Sequence, residues 1–239
     1  EIIFVTGRGK AILEDHFDIA YELEQTLRER DKLDRLEEVK SAQPEAGTVS
    51  FTRQQAPLGL GHAVWCARDL VGDEPFALLL PDALVHSDPG CLAQMIDVYN
   101  DKGGGNVIAV EEVPAEQTHQ YGVVEIEGSG DVFKVTGMVE KPPKGTAPSN
   151  LIITGRYILQ PEIFKLLETT EKGAGGEIQI TDAMLTLMAE QAFYGLRFKG
   201  HTYDCGSKVG FLAANVAYAL DRDDLAAPFH AELKRLLGI

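Results

Sequence analysis

The chain has 239 residues, of which 44% are hydrophobic and 25% are charged, and its net charge at pH 7 is −15. A chain of this length fits one large α/β domain, or a domain with a small addition, and the composition is typical of a soluble globular protein. The acidic balance argues against nucleic acid as a partner, and the lack of any apolar run near the roughly 18 residues of a membrane helix argues against a membrane partner.

The first half of the chain alternates predicted strands and helices. The apolar run from Glu1 to Gly7 predicts a buried strand, and the turn at residues 7–10 leads into a predicted helix. Residues spaced by three and four form the apolar face of that helix: Leu13, Phe17, Ala20, Leu23 and Leu27. A charged stretch up to Lys40 predicts a solvated helical face.

A second predicted strand, residues 48–53, is followed by a glycine loop at residues 57–61 and a helix near residues 62–70. The next segment, Phe76 to Leu80, is apolar at every position, which predicts a strand buried on both faces as in a parallel sheet. A helix near residues 92–99 and a strand over residues 106–113 complete a βαβαβ pattern. This pattern predicts an open, doubly wound, Rossmann-like α/β sheet with helices on both faces.

The second half differs in its pattern. Residues 121–127 and 132–139 flank a Gly-Ser-Gly-Asp turn and predict an antiparallel β-hairpin. A strand at residues 151–159 and a helix at residues 161–167 follow. Thr181 is predicted to cap a helix with Met184, Leu187 and Met188 on one face. A last strand from Tyr194 to about Tyr203 precedes a helical end, so residues 1–239 are interpreted as a single domain with a mixed, mostly parallel sheet.

Three segments at predicted strand ends carry candidate site residues, because open α/β sheets bind ligands beyond the carboxyl ends of their strands. The first is Gln54 with the loop containing Gly59 and Gly61, where bare backbone either binds a polar ligand or only makes a tight turn. The others are Asp82 and Asp204. Each is either a turn residue or an oxygen ligand for Mg²⁺ beside substrate phosphates.

A fourth candidate is the segment Glu140-Lys141-Pro142 at the end of the predicted hairpin. Adjacent residues of a strand point to opposite faces, so Glu140 and Lys141 reach one ligand only if the strand ends or twists there, and Pro142 allows it to end. The alternative is a solvated surface ion pair. The three cysteines have no metal-like spacing, which favours a reducing, cytoplasmic compartment.

Taken in order, several motifs resemble bacterial UTP–glucose-1-phosphate uridylyltransferases, which are sugar-1-phosphate nucleotidyltransferases. The resemblance covers essentially the whole chain, and residues 53–64 are its most diagnostic part. The motifs are Arg53-Gln-Gln-Ala-Pro-Leu-Gly-Leu-Gly-His-Ala-Val64, Leu80-Pro81-Asp82, Tyr121-Gly122-Val123-Val124, Val139-Glu140-Lys141-Pro142, Gly175-Gly176-Glu177-Ile178-Gln179-Ile180-Thr181-Asp182 and Asp204-Cys205-Gly206.

The resemblance implies a glycosyltransferase-A-like nucleotidyltransferase fold and the conversion of UTP and glucose 1-phosphate to UDP-glucose and pyrophosphate with Mg²⁺. It also implies that Gln54 and the Gly59 backbone contact uracil, and that Asp82 and Asp204 bind Mg²⁺. The sugar roles fall on three further residues: Gly122 admits glucose, Glu140 accepts its hydroxyl hydrogens and Lys141 holds its phosphate. A homodimer or homotetramer is expected.

One departure from the family pattern concerns the start of the chain. The family's G-x-G-T-R loop and the P-K pair after it are not in the sequence, so we expect them to precede Glu1 and expect residues 1–239 alone to have little activity. Two alternatives remain open at this point. One is a thymidylyltransferase that uses dTTP, and the other is a sugar-nucleotide-binding module without catalysis. The Gly-x-Gly-x-x-Gly fingerprint of a Rossmann oxidoreductase is absent.

Overall fold

The computed structural model describes residues 1–173 and 176–238. The chain separates into two compact units. The first comprises Glu1–Glu74 and Pro161–Met184, and the second comprises Pro75–Gln160 and Leu185–Ile239.

The described strands and helices are numbered in chain order. The strands are β1 (Ile2–Thr6), β2 (Val49–Arg53), β3 (Phe76–Leu79), β4 (Ala83–His86), β5 (Asn106–Glu112), β6 (Gly122–Glu127), β7 (Val132–Glu140), β8 (Leu151–Leu159), β9 (Phe193–Arg197) and β10 (His201–Asp204). The helices are α1 (Ile12–Phe17), α2 (Tyr21–Glu29), α3 (Leu33–Ser41), α4 (Leu60–Trp65), α5 (Arg68–Val71), α6 (Cys91–Asp101), α7 (Ile163–Thr169), α8 (Ile180–Leu187), α9 (Lys208–Leu220) and α10 (Ala226–Leu237). A 3-10 helix spans Ala115–Gln120.

In the first unit, the two predicted strands are confirmed and pair in parallel as β1 and β2. Their β-branched and aromatic residues suit an extended, half-buried backbone. The ring of Phe4 in β1 stacks on Phe51 in β2 and on Phe17 of α1, with centroid separations of 5.3 Å and 5.0 Å. These stacked rings hold α1 against the two-stranded sheet.

The prediction of a single helix after β1 is wrong, because the structure has two helices there, α1 and α2. The backbone at Asp18 is extended, with φ −81° and ψ 164°, and this interrupts the helical hydrogen bonding before α2 begins. The predicted apolar face is therefore not one face, and Leu13 and Leu23 are 37% and 48% exposed. Instead, the buried carboxylate of Glu24 joins α2 to the segment that follows α3, by accepting a hydrogen bond from Gln43.

Two other predictions in the first unit need adjustment. The helix predicted near residues 62–70 is present as two short helices, α4 and α5. Thr181 does not cap α8, because that helix begins at Ile180 and Thr181 lies buried in its first turn. The spacing of Met184 and Leu187 is interpreted correctly, since both side chains are buried.

The second unit contains a mixed six-stranded sheet with the strand order β3-β8-β5-β9-β7-β6. The predicted hairpin of β6 and β7 and the predicted strand β8 are confirmed. Helix α6 packs on this sheet and buries Met95 and Val98 against β5 and β8. The core at this face also contains Cys91, Val107, Ala109, Ile158 and Leu196.

The mixed sheet is confirmed, but the expected predominance of parallel pairing is not found among the described strands. The parallel pairs there are β1–β2 and β5–β9, and the other pairings are antiparallel. Segment 76–80 was expected inside a parallel sheet. Instead, β3 is an edge strand antiparallel to β8, with Leu79 46% exposed. An apolar run of this length does not reveal its direction or its place in a sheet.

The last predicted strand, residues 194–203, is also two strands in the structure. β9 belongs to the six-stranded sheet, whereas β10 pairs antiparallel with β4 in a separate two-stranded ribbon. Gly200, with φ +155°, lies against the backbone of His86 where the chain turns between them. The ribbon is important because it brings two distant segments of the sequence side by side. Among the described residues, no helix is long and apolar enough to cross a membrane.

Candidate active site

The β4–β10 ribbon brings Asp82 and Asp204 together. Ala83 is the partner of Asp204 in the ribbon, and the backbone N–H of Cys205 donates to the carbonyl oxygen of Asp82 at 2.7 Å. Both aspartates are exposed. A Cβ atom added to Gly206 would lie 3.0 Å from Oδ1 of Asp204 and 3.6 Å from Oδ2 of Asp82. The two carboxylates therefore face the same small space above the bare backbone of Gly206.

The carboxylate of Asp204 is fixed by the chain that follows it. Its Oδ1 accepts a hydrogen bond from the backbone N–H of Gly206 at 2.9 Å. Its carbonyl oxygen accepts one from the hydroxyl of Ser207, which also caps α9 by accepting from the N–H of Gly210. Asp204 is thus attached to the start of a 13-residue helix, and its position does not depend on a flexible loop.

The turn that carries Asp82 is held by β8. Leu80 donates its backbone N–H to the carbonyl oxygen of Gly155, and the guanidinium of Arg156 donates to the carbonyl oxygens of Leu80 and Ala83. Burial lowers the pKa of Arg156, while Cys91, Tyr218 and Asp82 act in the opposite direction. The sequence interpretation missed Arg156. The available signal was a lone charged residue in the otherwise uncharged strand β8.

A second group of candidate residues lies at the end of the β6–β7 hairpin. Gly122 is the partner of Glu140, and a Cβ atom added to Gly122 would lie 3.0 Å from Oε2 of Glu140 and 3.1 Å from Cδ1 of Ile153. The carboxylate of Glu140 therefore lies over the bare backbone of Gly122. The pKa of the fully buried Tyr157 is raised mainly by burial, and the negative charge of Glu140 raises it further.

Lys141 directly follows the last residue of β7. Its φ is +46°, in the left-handed region that non-glycine residues rarely adopt, and its N–H donates to the carbonyl oxygen of Tyr121 at 3.0 Å. The strand thus ends at Glu140, as the sequence interpretation required. The turn at Lys141 breaks the alternation that would otherwise send residues 140 and 141 to opposite faces.

Tyr121 is a further residue to which the sequence interpretation gave no role. The pKa of its phenol is raised by burial and then by the charges of Asp204 and Glu111. The phenol therefore lies within electrostatic reach of Asp204. Its position directly before Gly122 was the only sequence signal.

The remaining candidates, Gln54 and Gly59, lie in the first unit. The amide nitrogen of Gln54 contacts the carbonyl oxygen of Gly59 at 2.9 Å and Nδ1 of His62 at 3.2 Å. Both contacts use Nε2, so the amide is oriented with Oε1 as its acceptor. The backbone N–H of Gln54 donates to Thr6, which fixes the residue to the end of β1.

The two loop glycines have a packing role. The N–H of Ile178 donates to the carbonyl oxygen of Leu58, and the carbonyl oxygen of Ile178 accepts from the N–H of Gly61. A Cβ atom at Gly59, whose φ is +104°, would lie 2.7 Å from Cβ of Glu177, and one at Gly61 would lie 2.8 Å from the carbonyl oxygen of Ile178. The turn interpretation of this loop is therefore supported, since both glycines allow this close approach. In the motif at residues 175–182, Gly175 lies outside the described residues.

The structure thus places Asp82, Gly122, Glu140, Lys141 and Asp204 in the second unit, and Gln54 and Gly59 in the first. Within residues 1–173 and 176–238, no group of three or more His, Cys, Asp or Glu side chains could hold a metal ion. A cation between the two aspartates would therefore need further oxygen ligands from substrate or water.

The mixed sheet with its helices matches the fold of nucleotidyltransferases. The chain belongs to the nucleotidyl transferase family, whose family model matches residues 18–220.

Its relatives within the family are more specific. The chain is 47% identical over 226 residues to a UTP–glucose-1-phosphate uridylyltransferase of Bacillus subtilis strain 168, a match that covers 94% of this chain and 77% of the relative. It superposes on a UTP-bound UGPase from Acinetobacter baumannii with a TM-score of 0.88 and 42% identity, covering 98% of this chain and 82% of that one. A UDP-glucose pyrophosphorylase complexed with UDP-glucose gives a TM-score of 0.83 and 40% identity, with coverages of 93% and 82%.

Within that family, the chain therefore groups with the UTP–glucose-1-phosphate uridylyltransferases. The nucleotidyltransferase fold with a mixed sheet and the enzyme class, both expected from the sequence, are confirmed.

Proposed function

We propose that the chain catalyses the reaction of UTP with glucose 1-phosphate to give UDP-glucose and pyrophosphate, with Asp82 and Asp204 as the centre of the phosphate site. In this reaction an oxygen of the sugar phosphate attacks the α-phosphorus of UTP in line, forming a new P–O bond as the bond to pyrophosphate breaks. No protein nucleophile is needed, because positioning and charge neutralisation dominate this class of transfer. The convergence of the two carboxylates beside Gly206 carries the proposal.

The carboxylate pair fits a magnesium ion. Mg²⁺ prefers oxygen ligands and is commonly bound by one or two carboxylates together with substrate phosphates. Asp82 and Asp204 would hold it, and the absence of a side chain at Gly206 leaves room between their oxygens. When bound there, the ion would reduce the repulsion between two anionic substrates. The charge on the chain is −15, so such neutralisation must be local.

The sugar phosphate is assigned to the end of the β6–β7 hairpin. Glu140 would accept hydrogen bonds from glucose hydroxyls, while the missing side chain of Gly122 keeps the surface beside it open to the sugar ring. Lys141 would bind the phosphate of glucose 1-phosphate, because its ammonium is a compact charge on a flexible stem. The positive φ of Lys141 supports this assignment. Because the backbone turns there, the side chain of Lys141 does not have to point to the face opposite Glu140, as it would in a continuing strand.

Uracil recognition is assigned to Gln54 and the backbone at Gly59. The oriented amide of Gln54 presents Oε1 as an acceptor, which suits the N3–H donor of uracil. Thymine carries the same donor, so this contact does not distinguish UTP from dTTP. The proposed preference for UTP is supported by the uridylyltransferase relatives.

The proposal includes a homodimer or homotetramer in the cytoplasm, without nucleic acid or membrane partners. The reaction is tested by measuring pyrophosphate release from UTP and glucose 1-phosphate by the full-length protein, with and without Mg²⁺, because residues 1–239 alone are expected to have little activity. We expect Mg²⁺-dependent release that is much slower with dTTP. Asp204→Asn should reduce turnover by two or more orders of magnitude while the protein remains folded. Near-normal turnover in that variant would refute the metal assignment.

A further inference from the structure

Arg156 is the one charged residue of β8, and its side chain is half-buried. Placing a guanidinium in such a position costs solvation free energy unless its donors are satisfied. Here Nη1 donates to the carbonyl oxygen of Leu80 at 2.8 Å and to that of Gly155 at 3.3 Å, while Nη2 donates to the carbonyl oxygen of Ala83 at 2.5 Å. Nη1 and Nη2 thus both donate to backbone carbonyl oxygens, including those at the two ends of one turn, residues 80–83.

That turn contains Asp82. The N–H of Ala83 donates to the carbonyl oxygen of Leu80 at 3.3 Å, so residues 80–83 form a hydrogen-bonded turn. Asp82 is the third residue of that turn. The guanidinium contacts the residue on each side of Pro81-Asp82. Its planar fork can span two acceptors in a fixed geometry, which an ammonium group cannot do.

The charge of Arg156 also acts on the carboxylate of Asp82. Asp82 and the guanidinium interact electrostatically, in addition to the backbone contacts. Two carboxylates that face one small space repel each other when no cation lies between them. A positive charge behind the Asp82 turn offsets part of that repulsion.

We propose that Arg156 is a positioning residue that holds Asp82 in place to bind a divalent cation together with Asp204. This inference rests on the proposed function, because it takes the two aspartates as the metal ligands. Groups that orient a metal ligand commonly change metal affinity by about 10- to 100-fold when they are removed. Arg156 itself does not contact substrate or metal in this assignment.

The test measures the binding of Mn²⁺, in place of Mg²⁺, to the intact protein by electron paramagnetic resonance, with UTP present and no sugar phosphate. Four variants are compared with the parent protein: Arg156→Lys, Arg156→Gln, Arg197→Lys and Asp204→Asn. Arg197 is the matched control, since it also lies in a strand of the same sheet and donates to a loop carbonyl, that of Gly130. Folding is checked by circular dichroism, and binding is normalised to folded protein.

We expect both Arg156 variants to bind Mn²⁺ about 10-fold more weakly, with Arg197→Lys unchanged. The loss in Arg156→Lys is informative, because lysine keeps the charge and loses the fork. In turnover assays, the Mg²⁺ concentration for half-maximal rate should rise by a similar factor. Unchanged Mn²⁺ affinity in Arg156→Lys, when Asp204→Asn binds weakly, would overturn the positioning role alone. Unchanged affinity in Asp204→Asn would instead overturn the metal site itself.

Discussion

At the scale of single residues, Lys141 combines an unfavourable backbone conformation with a proposed role in binding. Left-handed backbone conformations cost non-glycine residues about 1–2 kcal/mol, and such strain often persists where function requires the geometry. Lys141 has φ +46° directly after Glu140. Stability and substrate binding should therefore respond differently to substitutions at this position.

We predict that Lys141→Ala and Lys141→Gly both impair the use of glucose 1-phosphate, because both remove the ammonium group. Lys141→Gly should be more stable than Lys141→Ala by roughly 1 kcal/mol, because glycine adopts a positive φ without the steric penalty. Steady-state kinetics with varied glucose 1-phosphate and thermal unfolding measure the two effects. Normal KM and kcat for this substrate would contradict the phosphate role, and a more stable alanine variant would contradict the strained turn.

At this scale, the sequence was sufficient to locate the candidate carboxylates at strand ends, for a physical reason. Asp82, Glu140 and Asp204 each follow or end a strand, and strand ends are marked by an abrupt change from apolar to polar residues. Sequence reasoning failed for Arg156 because its role depends on backbone carbonyls of a turn 73 and 76 residues away in the chain. No spacing rule connects residues at that separation. It also assigned Thr181 to a cap, although its burial inside the first turn of α8 depends on packing.

At the scale of elements, the contact between β7 and β9 depends on a missing side chain. Phe133 of β7 lies opposite Gly195 of β9, and a Cβ atom added there would overlap the ring, with Cζ only 2.8 Å away. The guanidinium of Arg197 lies over the same ring, 4.8 Å from its centroid. The buried ring thus covers the glycine backbone and holds the hairpin on the sheet.

We predict that Gly195→Ala destabilises the protein by about 1–3 kcal/mol, because the added methyl group must displace a packed aromatic ring. Gly90→Ala is the control, since Gly90 has φ −55° and its added Cβ would meet no atom within 4 Å. Chemical unfolding of both variants measures the difference. Adding Phe133→Leu to Gly195→Ala should recover part of the loss, and a purely additive result would exclude the overlap as its cause.

Strands and helices were predicted well where their sequence pattern and length were distinctive. They were predicted poorly where pairing with a distant segment determines whether a strand forms and in which direction it runs. The hairpin and β8 were identified because turn residues and alternation are local signals. The direction of β3 was not, since antiparallel pairing with β8 joins segments that lie far apart in sequence. The same reason applies to β4, a four-residue strand whose existence depends on pairing with β10.

At the scale of the whole molecule, the dominant feature is the net charge of −15. Like charges on one surface repel each other and destabilise the compact state, and salt screens this repulsion. The screening length falls from about 30 Å at 0.01 M salt to about 10 Å at 0.1 M. Stability should therefore depend on ionic strength over the whole surface and, separately, on divalent cations at the carboxylate pair.

We predict that raising NaCl from about 10 mM to about 150 mM increases Tm by a few degrees. Replacing NaCl with MgCl₂ at equal ionic strength should raise it further, because Asp82 and Asp204 bind the cation in the folded protein and not in the unfolded chain. Binding at ten times the dissociation constant contributes roughly 1.4 kcal/mol, or about 3–5 °C for a protein of this size. Thermal scans by differential scanning fluorimetry measure both effects.

The double variant Asp82→Asn/Asp204→Asn separates the two causes. It keeps almost all of the surface charge, so its response to NaCl should match that of the parent protein. The additional stabilisation by MgCl₂ should disappear, since amide oxygens bind Mg²⁺ much more weakly than carboxylates do. If MgCl₂ still stabilises the double variant to the same extent, the cation acts on the acidic surface as a whole. The pair beside Gly206 would then not be its binding site.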